Sequence, residues 1–217
     1  MTAKLPDRFE FERPLWQQGI GRVAGVDEAG RGPLAGPVVA AAVILPSRWA
    51  ETGLPAALAG LNDSKQLTEA QREKFFAFIT TCGEIEFGIA MVDAAVIDAI
   101  NILQATHRAM NDALAKLQPL PPHALVDGRP VKILRVPQTA IVKGDARSYS
   151  IAAASVLAKV TRDRLMLEYH AQFPKYGFAA HKGYGTAQHL AAIAKHGACP
   201  IHRKTFAPLK PQGPKLF

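Results

Sequence analysis

Acidic residues follow three short apolar segments of the chain. Residues 23–26 run into Asp27 and Glu28, residues 124–126 run into Asp127, and residues 140–142 are followed closely by Asp145. In open sheets covered by helices, sites collect at strand ends, where loops diverge. If the three segments are neighbouring strands, we expect the four carboxylates to converge in one crevice.

Converging carboxylates need a counter-ion. Two like charges about 4 Å apart repel by about 4 kcal/mol at an effective dielectric of ~20. Oxygen ligands without a Cys or His cluster favour Mg²⁺ or Mn²⁺ over Zn²⁺. Two such ions can activate water and stabilise the leaving oxygen of a phosphodiester, without a protein nucleophile.

Each acid also has a purely structural interpretation. Asp127-Gly128 is a common turn pair, and Asp145 could cap the following helix. Asp27 and Glu28 are adjacent, and successive strand residues face opposite ways. Both reach one site only if the strand ends there, which Gly30 makes plausible. The residues alone leave these alternatives open.

The charge is unevenly distributed. The chain has 26 basic and 18 acidic residues; residues 1–108 sum to −3 (10 basic, 13 acidic) and residues 109–217 to +11 (16 basic, 5 acidic). A basic half suggests a polyanion partner, most commonly nucleic acid, although solvated lysines are an alternative. Two distant cysteines favour a reducing compartment. The start has no secretion signal, so we expect a soluble, cytoplasmic protein.

Other catalytic classes fit poorly. Gly30-Arg31-Gly32 precedes a strand rather than a helix, which argues against a dinucleotide fingerprint. The chain contains no phosphate loop, no G-x-S-x-G elbow and no H-E-x-x-H pair. Cys199 and His202 have a metal-like spacing but lack two further ligands nearby.

Hydrophobic patterns predict an α/β fold with a mixed central sheet covered by helices. Asp93 is expected to cap a short helix before the one at 102–117, whose buried face would include Leu103 and Met110. Three regions are predicted: a loosely held N-terminal arm (1–20), a catalytic domain (21–205) and a proline-rich tail (206–217). The predicted strands are 23–26, 38–45, 85–92, 124–126 and 140–142, and the main helices 68–81, 102–117, 151–170 and 187–196.

Seven segments in consistent order, within about residues 22–208, resemble ribonuclease HII, the bacterial type 2 ribonuclease H family. They are VAGVDEAGRGPLAGPVV, LNDSKQLT, NILQATHRAM, LVDG, IVKGDARSYSIAAASVLAKVTRD, FPKYGFAAHKGYGT and HGACPIHRKTF. The resemblance implies a ribonuclease H-like fold with a helical C-terminal region.

The resemblance also implies a function in DNA repair. It implies hydrolysis of RNA in RNA–DNA hybrids and cleavage 5′ of ribonucleotides embedded in duplex DNA, leaving 3′-hydroxyl and 5′-phosphate ends. Asp27, Glu28, Asp127 and Asp145 match the family's catalytic carboxylates, which bind Mg²⁺ or Mn²⁺.

Five further residues match substrate-binding positions. Gly30, Arg31 and Gly32 resemble a reader of the ribose 2′-hydroxyl, which distinguishes RNA from DNA; glycines let a strand approach closely. Tyr184 matches a tyrosine that stacks on the deoxyribose after the ribonucleotide. Lys65 is expected to contact a phosphate. Without the resemblance, these residues fit a hairpin turn, a surface tyrosine and a solvated lysine.

Several alternatives remain at this point. The protein could be another nuclease or strand-transfer enzyme of the same fold, or a non-catalytic nucleic-acid-binding protein. We expect a monomer. The terminal segment Gln212 to Phe217 loosely resembles peptides that dock on the replication sliding clamp, although a disordered tail fits it better.

Overall fold

A five-stranded mixed sheet forms the centre of the computed structural model, which describes residues 7–210. The strand order is β3-β2-β1-β4-β5. β1 pairs antiparallel with β2 and parallel with β4, and the predicted mixed sheet is confirmed. The strands are β1 (Val23–Ala29), β2 (Val38–Ile44), β3 (Glu86–Val92), β4 (His123–Asp127) and β5 (Gln138–Ile141).

Seven α-helices flank the sheet or extend from it within the described residues. The predicted capping box is present: the Thr68 side chain accepts from the Gln71 N–H, and the Gln71 side chain accepts from the Thr68 N–H. The helices are α1 (Glu12–Gln17), α2 (Trp49–Thr52), α3 (Glu69–Thr81), α4 (Ala94–Leu114), α5 (Tyr149–Gln172), α6 (Phe178–His181) and α7 (Ala187–His196).

Helix α4 is interrupted at Asn101, where φ is 66°. The Asn101 Oδ1 accepts from the N–H groups of Leu103 and Gln104, so it caps the second half. This break agrees with the two predicted helices. The prediction that Leu103 belongs to the buried face of this helix is wrong, because its side chain is 47% exposed. The helix also ends at Leu114 rather than at residue 117.

Two apolar layers cover the sheet. Helix α5 packs on one face together with α3, and α4 packs on the other. Gly25 in β1 allows the close approach of α5, since a Cβ there would lie 2.1 Å from the Ser150 carbonyl carbon. This contact places the start of α5 against the first half of β1.

The N-terminal segment corrects one expectation. Phe9 is buried in the core, and the buried Glu12 accepts a 2.6 Å hydrogen bond from the Ser148 hydroxyl. The predicted looseness is therefore wrong for residues 7–20, because this segment packs against the start of α5. The domain boundaries themselves stay a prediction.

The C-terminal region is helical as predicted, with α6 and α7 packed around Phe178. The segment from Gln212 to Phe217 lies outside the described residues. Over residues 7–210, no helix has the length and apolar character needed to span a membrane.

Candidate active site

Three predicted acids come together at one end of the sheet. Val26 of β1 pairs with Val126 of β4, which places Asp27 beside Asp127. Asp145 lies in a single 3₁₀ turn after β5, and the adjacent Gly144 N–H donates to Asp127 Oδ1 at 2.7 Å. Asp27, Asp127 and Asp145 each offer an oxygen within 4.8 Å of the others, so they can share a cation.

Glu28 lies at the edge of this cluster. Its N–H donates to Asp27 Oδ1 at 2.7 Å, and its carboxylate lies 3.3 Å from the Arg31 guanidinium. It is not part of the group of three acids, since strand β1 continues to Ala29. Glu28 still lies near the cluster, because repulsion from it contributes to raising the pKa of Asp27 after burial.

The electrostatics match a site built for cations. Burial, followed by repulsion from Glu28 and Asp127, raises the pKa of Asp27 well above its ordinary value. Burial, followed by repulsion from Asp127, raises the pKa of Asp145 to about 6. Burial alone would lower the pKa of Lys65, but neighbouring carboxylates outweigh it and raise that pKa. Lys65 is thus placed beside the acids.

The predicted substrate-binding residues line one cleft with Asp27, here called the tyrosine cleft. It has a volume of about 270 Å³. Tyr184 is 48% exposed there, and a Cβ on Gly32 would lie 3.8 Å from its ring. The tyrosine cleft is lined by Asp27, Glu28, Ala29, Gly30, Arg31, Gly32, Ser64, Lys65, Ser155, Lys159, Arg162 and Tyr184.

Two buried arginines support the loop of residues 30–37, a role that sequence reasoning missed. Arg203 donates to the carbonyls of Gly30, Arg31 and Gly36 at 2.6–3.0 Å. Arg162 donates to other loop carbonyls, and a Cβ on Gly30 would lie 2.1 Å from its Nε. Only glycine fits at position 30, where φ is also +95°. No local signal marks either residue, because Arg162 stands in Thr-Arg-Asp-Arg and Arg203 in His-Arg-Lys, both of which have the composition of exposed segments.

Two histidines hold the backbone of Tyr184 in place through a chain of hydrogen bonds. His202 Nδ1 accepts from the Cys199 N–H at 2.9 Å, so its Nε2 bears the proton and donates to His189 Nε2 at 3.0 Å. His189 Nδ1 then donates to the Tyr184 carbonyl at 2.9 Å. This network requires neutral rings, and burial lowers the pKa of His202 to about 4.

Comparison with known proteins gives a consistent result. The family model described as Ribonuclease HII matches residues 24–209. The ribonuclease HII of Ruminiclostridium cellulolyticum is 54% identical over 94% of this chain and 76% of its own length. That of Geobacter metallireducens is 55% identical over 93% of this chain and 91% of its own.

Solved structures show the same fold. Ribonuclease H2 from Pyrococcus horikoshii OT3 superposes with a TM-score of 0.70 and 28% identity, covering 87% of this chain and 95% of that one. The RNase HII in the PCNA complex from Archaeoglobus fulgidus superposes with a TM-score of 0.68 and 24% identity, covering 90% of this chain and 98% of that one. The ribonuclease H-like fold and the enzymatic class are therefore confirmed, and the chain belongs to the ribonuclease HII family of metal-dependent endoribonucleases.

Proposed function

We propose that the protein hydrolyses RNA within RNA–DNA hybrids and cuts 5′ of single ribonucleotides embedded in duplex DNA, leaving 3′-hydroxyl and 5′-phosphate ends. The observation that supports this best is the mutual approach of Asp27, Asp127 and Asp145 to within 4.8 Å, beside a cleft lined by Gly30 to Gly32 and Tyr184. A carboxylate cluster that binds metal ions next to a 2′-hydroxyl reader would couple cleavage to recognition of the sugar.

Each residue has a proposed role. Asp27, Glu28, Asp127 and Asp145 bind Mg²⁺ or Mn²⁺; two such ions, when bound, supply an activated water and stabilise the leaving oxygen. Backbone groups of residues 30–32 contact the ribose, and the Tyr184 ring packs on the next sugar. Lys65, which lies beside the acids, contacts a phosphate.

Cleavage assays on matched duplexes test the proposal. One duplex contains a single ribonucleotide, one contains a full RNA strand, and one contains DNA alone. We expect the first two to be cut with Mg²⁺ or Mn²⁺ and the third to stay intact. Cleavage of the all-DNA duplex, or cleavage unaffected by chelator, would contradict the proposal.

Tyr184→Ala should lower kcat/KM for the embedded ribonucleotide about tenfold, because ring packing on one nucleotide contributes ~1–3 kcal/mol. Tyr184→Phe keeps the ring and is the matched control. Steady-state kinetics on the embedded and full-RNA duplexes measures the effect. An alanine variant with unchanged preference between the two duplexes would remove Tyr184 from junction recognition.

Mn²⁺ should stabilise the protein more at pH 7.5 than at pH 5. The pKa of Asp145 is raised in the folded protein from its ordinary 3.8 to about 6. Protonated Asp145 therefore stabilises the metal-free fold fully at pH values below 3.8, and this stabilisation is lost as the pH rises through about 6. Protons therefore compete with the metal in that window. Thermal melts with and without Mn²⁺ measure the increase in melting temperature that the metal causes. In the Asp145→Asn variant this increase should depend less on pH. An equal shift at both pH values would contradict metal binding at these acids.

We further propose that the protein acts as a cytoplasmic monomer. The segment from Gln212 to Phe217 is proposed to bind a sliding clamp. A precedent supports this proposal, since the RNase HII from Archaeoglobus fulgidus has been solved in a complex with PCNA.

A further inference from the structure

A second groove opens on the other side of the catalytic carboxylates. The tyrosine cleft lies on the α5 face of the sheet, whereas this groove lies against α4 and has a volume of about 590 Å³. Glu28 and Arg31 line both, so the two form one continuous path past the acids. The second groove, here called the α4 groove, is lined by Glu28, Arg31, Leu103, Thr106, His107, Met110, Asp127, Gly128, Arg129, Pro130, Val131 and Lys132.

The charges of the α4 groove suit a polyanion. Arg31, Arg129 and Lys132 are its cations, and the acids among its described lining residues, Glu28 and Asp127, belong to the proposed metal site. Arg129 and Lys132 are exposed, and neither forms a salt bridge with any residue between 7 and 210. These two cations are therefore free to contact phosphates.

The wall that bears these cations is fixed by side-chain hydrogen bonds. Buried Asn111 donates to the Ile133 carbonyl at 3.0 Å and accepts from the Arg135 N–H at 2.9 Å. The Gln138 side chain accepts from the Val131 N–H at 2.8 Å and donates to the Val131 carbonyl at 2.7 Å. Because these hydrogen bonds already order the loop between β4 and β5, binding a nucleic-acid strand would cost little loop-ordering entropy.

The floor of the α4 groove has features that the fold itself does not use. His107 is 9% exposed, and its buried Nδ1 has no hydrogen-bond partner in the described part of the chain. Burial, followed by the charge of Arg31, lowers the pKa of His107, so the ring is neutral at pH 7. Leu103, which the helical pattern predicted to be core, instead lines this groove. The neutral His107 ring and the Leu103 side chain therefore give this floor an uncharged surface that suits a nucleotide sugar and base.

We propose that the α4 groove binds the cleaved strand on the 5′ side of the scissile phosphate, with Arg129 and Lys132 contacting its backbone. This inference rests on the proposed function, in which Tyr184 contacts the sugar on the 3′ side. A strand that passes from Tyr184 over the carboxylates leaves the site on the α4 side. The contacts are to phosphates, so they position the strand without reading its sequence.

The double variant Arg129→Ala, Lys132→Ala tests this with two embedded-ribonucleotide duplexes, one with a long and one with a very short 5′ arm on the cleaved strand. For the long arm, affinity measured in chelator should fall roughly tenfold, and the slope of log K against log salt should drop by about 1 per cation removed. For the short arm, affinity and kcat/KM should stay unchanged. Lys74→Ala, on α3 at the opposite face of the sheet, is the matched control.

Three results would overturn the inference. The variant could weaken both duplexes equally, or neither, or its effect could follow the length of the complementary strand instead. A thermal melt equal to that of the unmodified protein separates lost contacts from lost structure. If the unmodified protein cuts neither duplex, the proposed function fails, whereas the affinity measurement still tests the α4 groove.

Discussion

Asp27→Asn should abolish cleavage, lowering kcat by about 10³-fold or more, while the affinity for an RNA–DNA hybrid changes only a few fold. The amide keeps the size of the side chain but removes one of the three carboxylates that can share a cation. A loss of about 4 kcal/mol of transition-state stabilisation corresponds to roughly 10³-fold in rate. Single-turnover cleavage and binding in chelator measure the two effects separately.

The stability of this variant distinguishes catalysis from folding. Burial, followed by repulsion from the neighbouring Glu28 and Asp127, raises the pKa of Asp27. A neutral amide relieves that repulsion, so the metal-free variant should melt at or above the temperature of the unmodified protein. Asp112→Asn, a half-exposed acid on α4, is the matched control and should keep full activity. Cleavage retained by Asp27→Asn would exclude Asp27 from the metal site.

The acid cluster could be predicted because its signals are local. Strand segments are visible as apolar runs, and an acid at the end of each run needs only the sheet order to become a site. The parallel pairing of β1 with β4 supplies that order and places Asp27 beside Asp127. The side chain of Glu28 was harder to place, because its direction depends on where β1 stops.

The supporting residues could not be predicted because their environment is set by distant contacts. Arg203 stands in His-Arg-Lys, which has the composition of an exposed basic turn, yet the side chain is fully buried against the loop of residues 30–37. Glu12 is another example, since its partner Ser148 lies 136 residues away. Leu103 fitted a helical core face by its spacing, but it is exposed and lines the α4 groove.

Arg203→Met should destabilise the protein by about 3–5 kcal/mol, the usual cost of removing one partner from a buried charged network. The substitution keeps an apolar stem but leaves the carbonyls of Gly30, Arg31 and Gly36 without their donor. Each unsatisfied buried carbonyl costs about 1–3 kcal/mol. Burial, followed by repulsion from Arg162, lowers the pKa of Arg203 to about 9, and relief of that repulsion offsets only part of this loss.

Denaturant unfolding of three variants separates these contributions. Arg203→Lys keeps the charge but replaces the planar donor set with one ammonium, so it should recover only part of the lost free energy. Lys204→Met changes an exposed neighbour and should leave stability within about 0.5 kcal/mol. Since the same carbonyls belong to the proposed 2′-hydroxyl reader, the lysine variant should also lose preference for ribonucleotide over DNA. An Arg203→Met protein as stable as the unmodified one would show that the loop of residues 30–37 is ordered without this side chain.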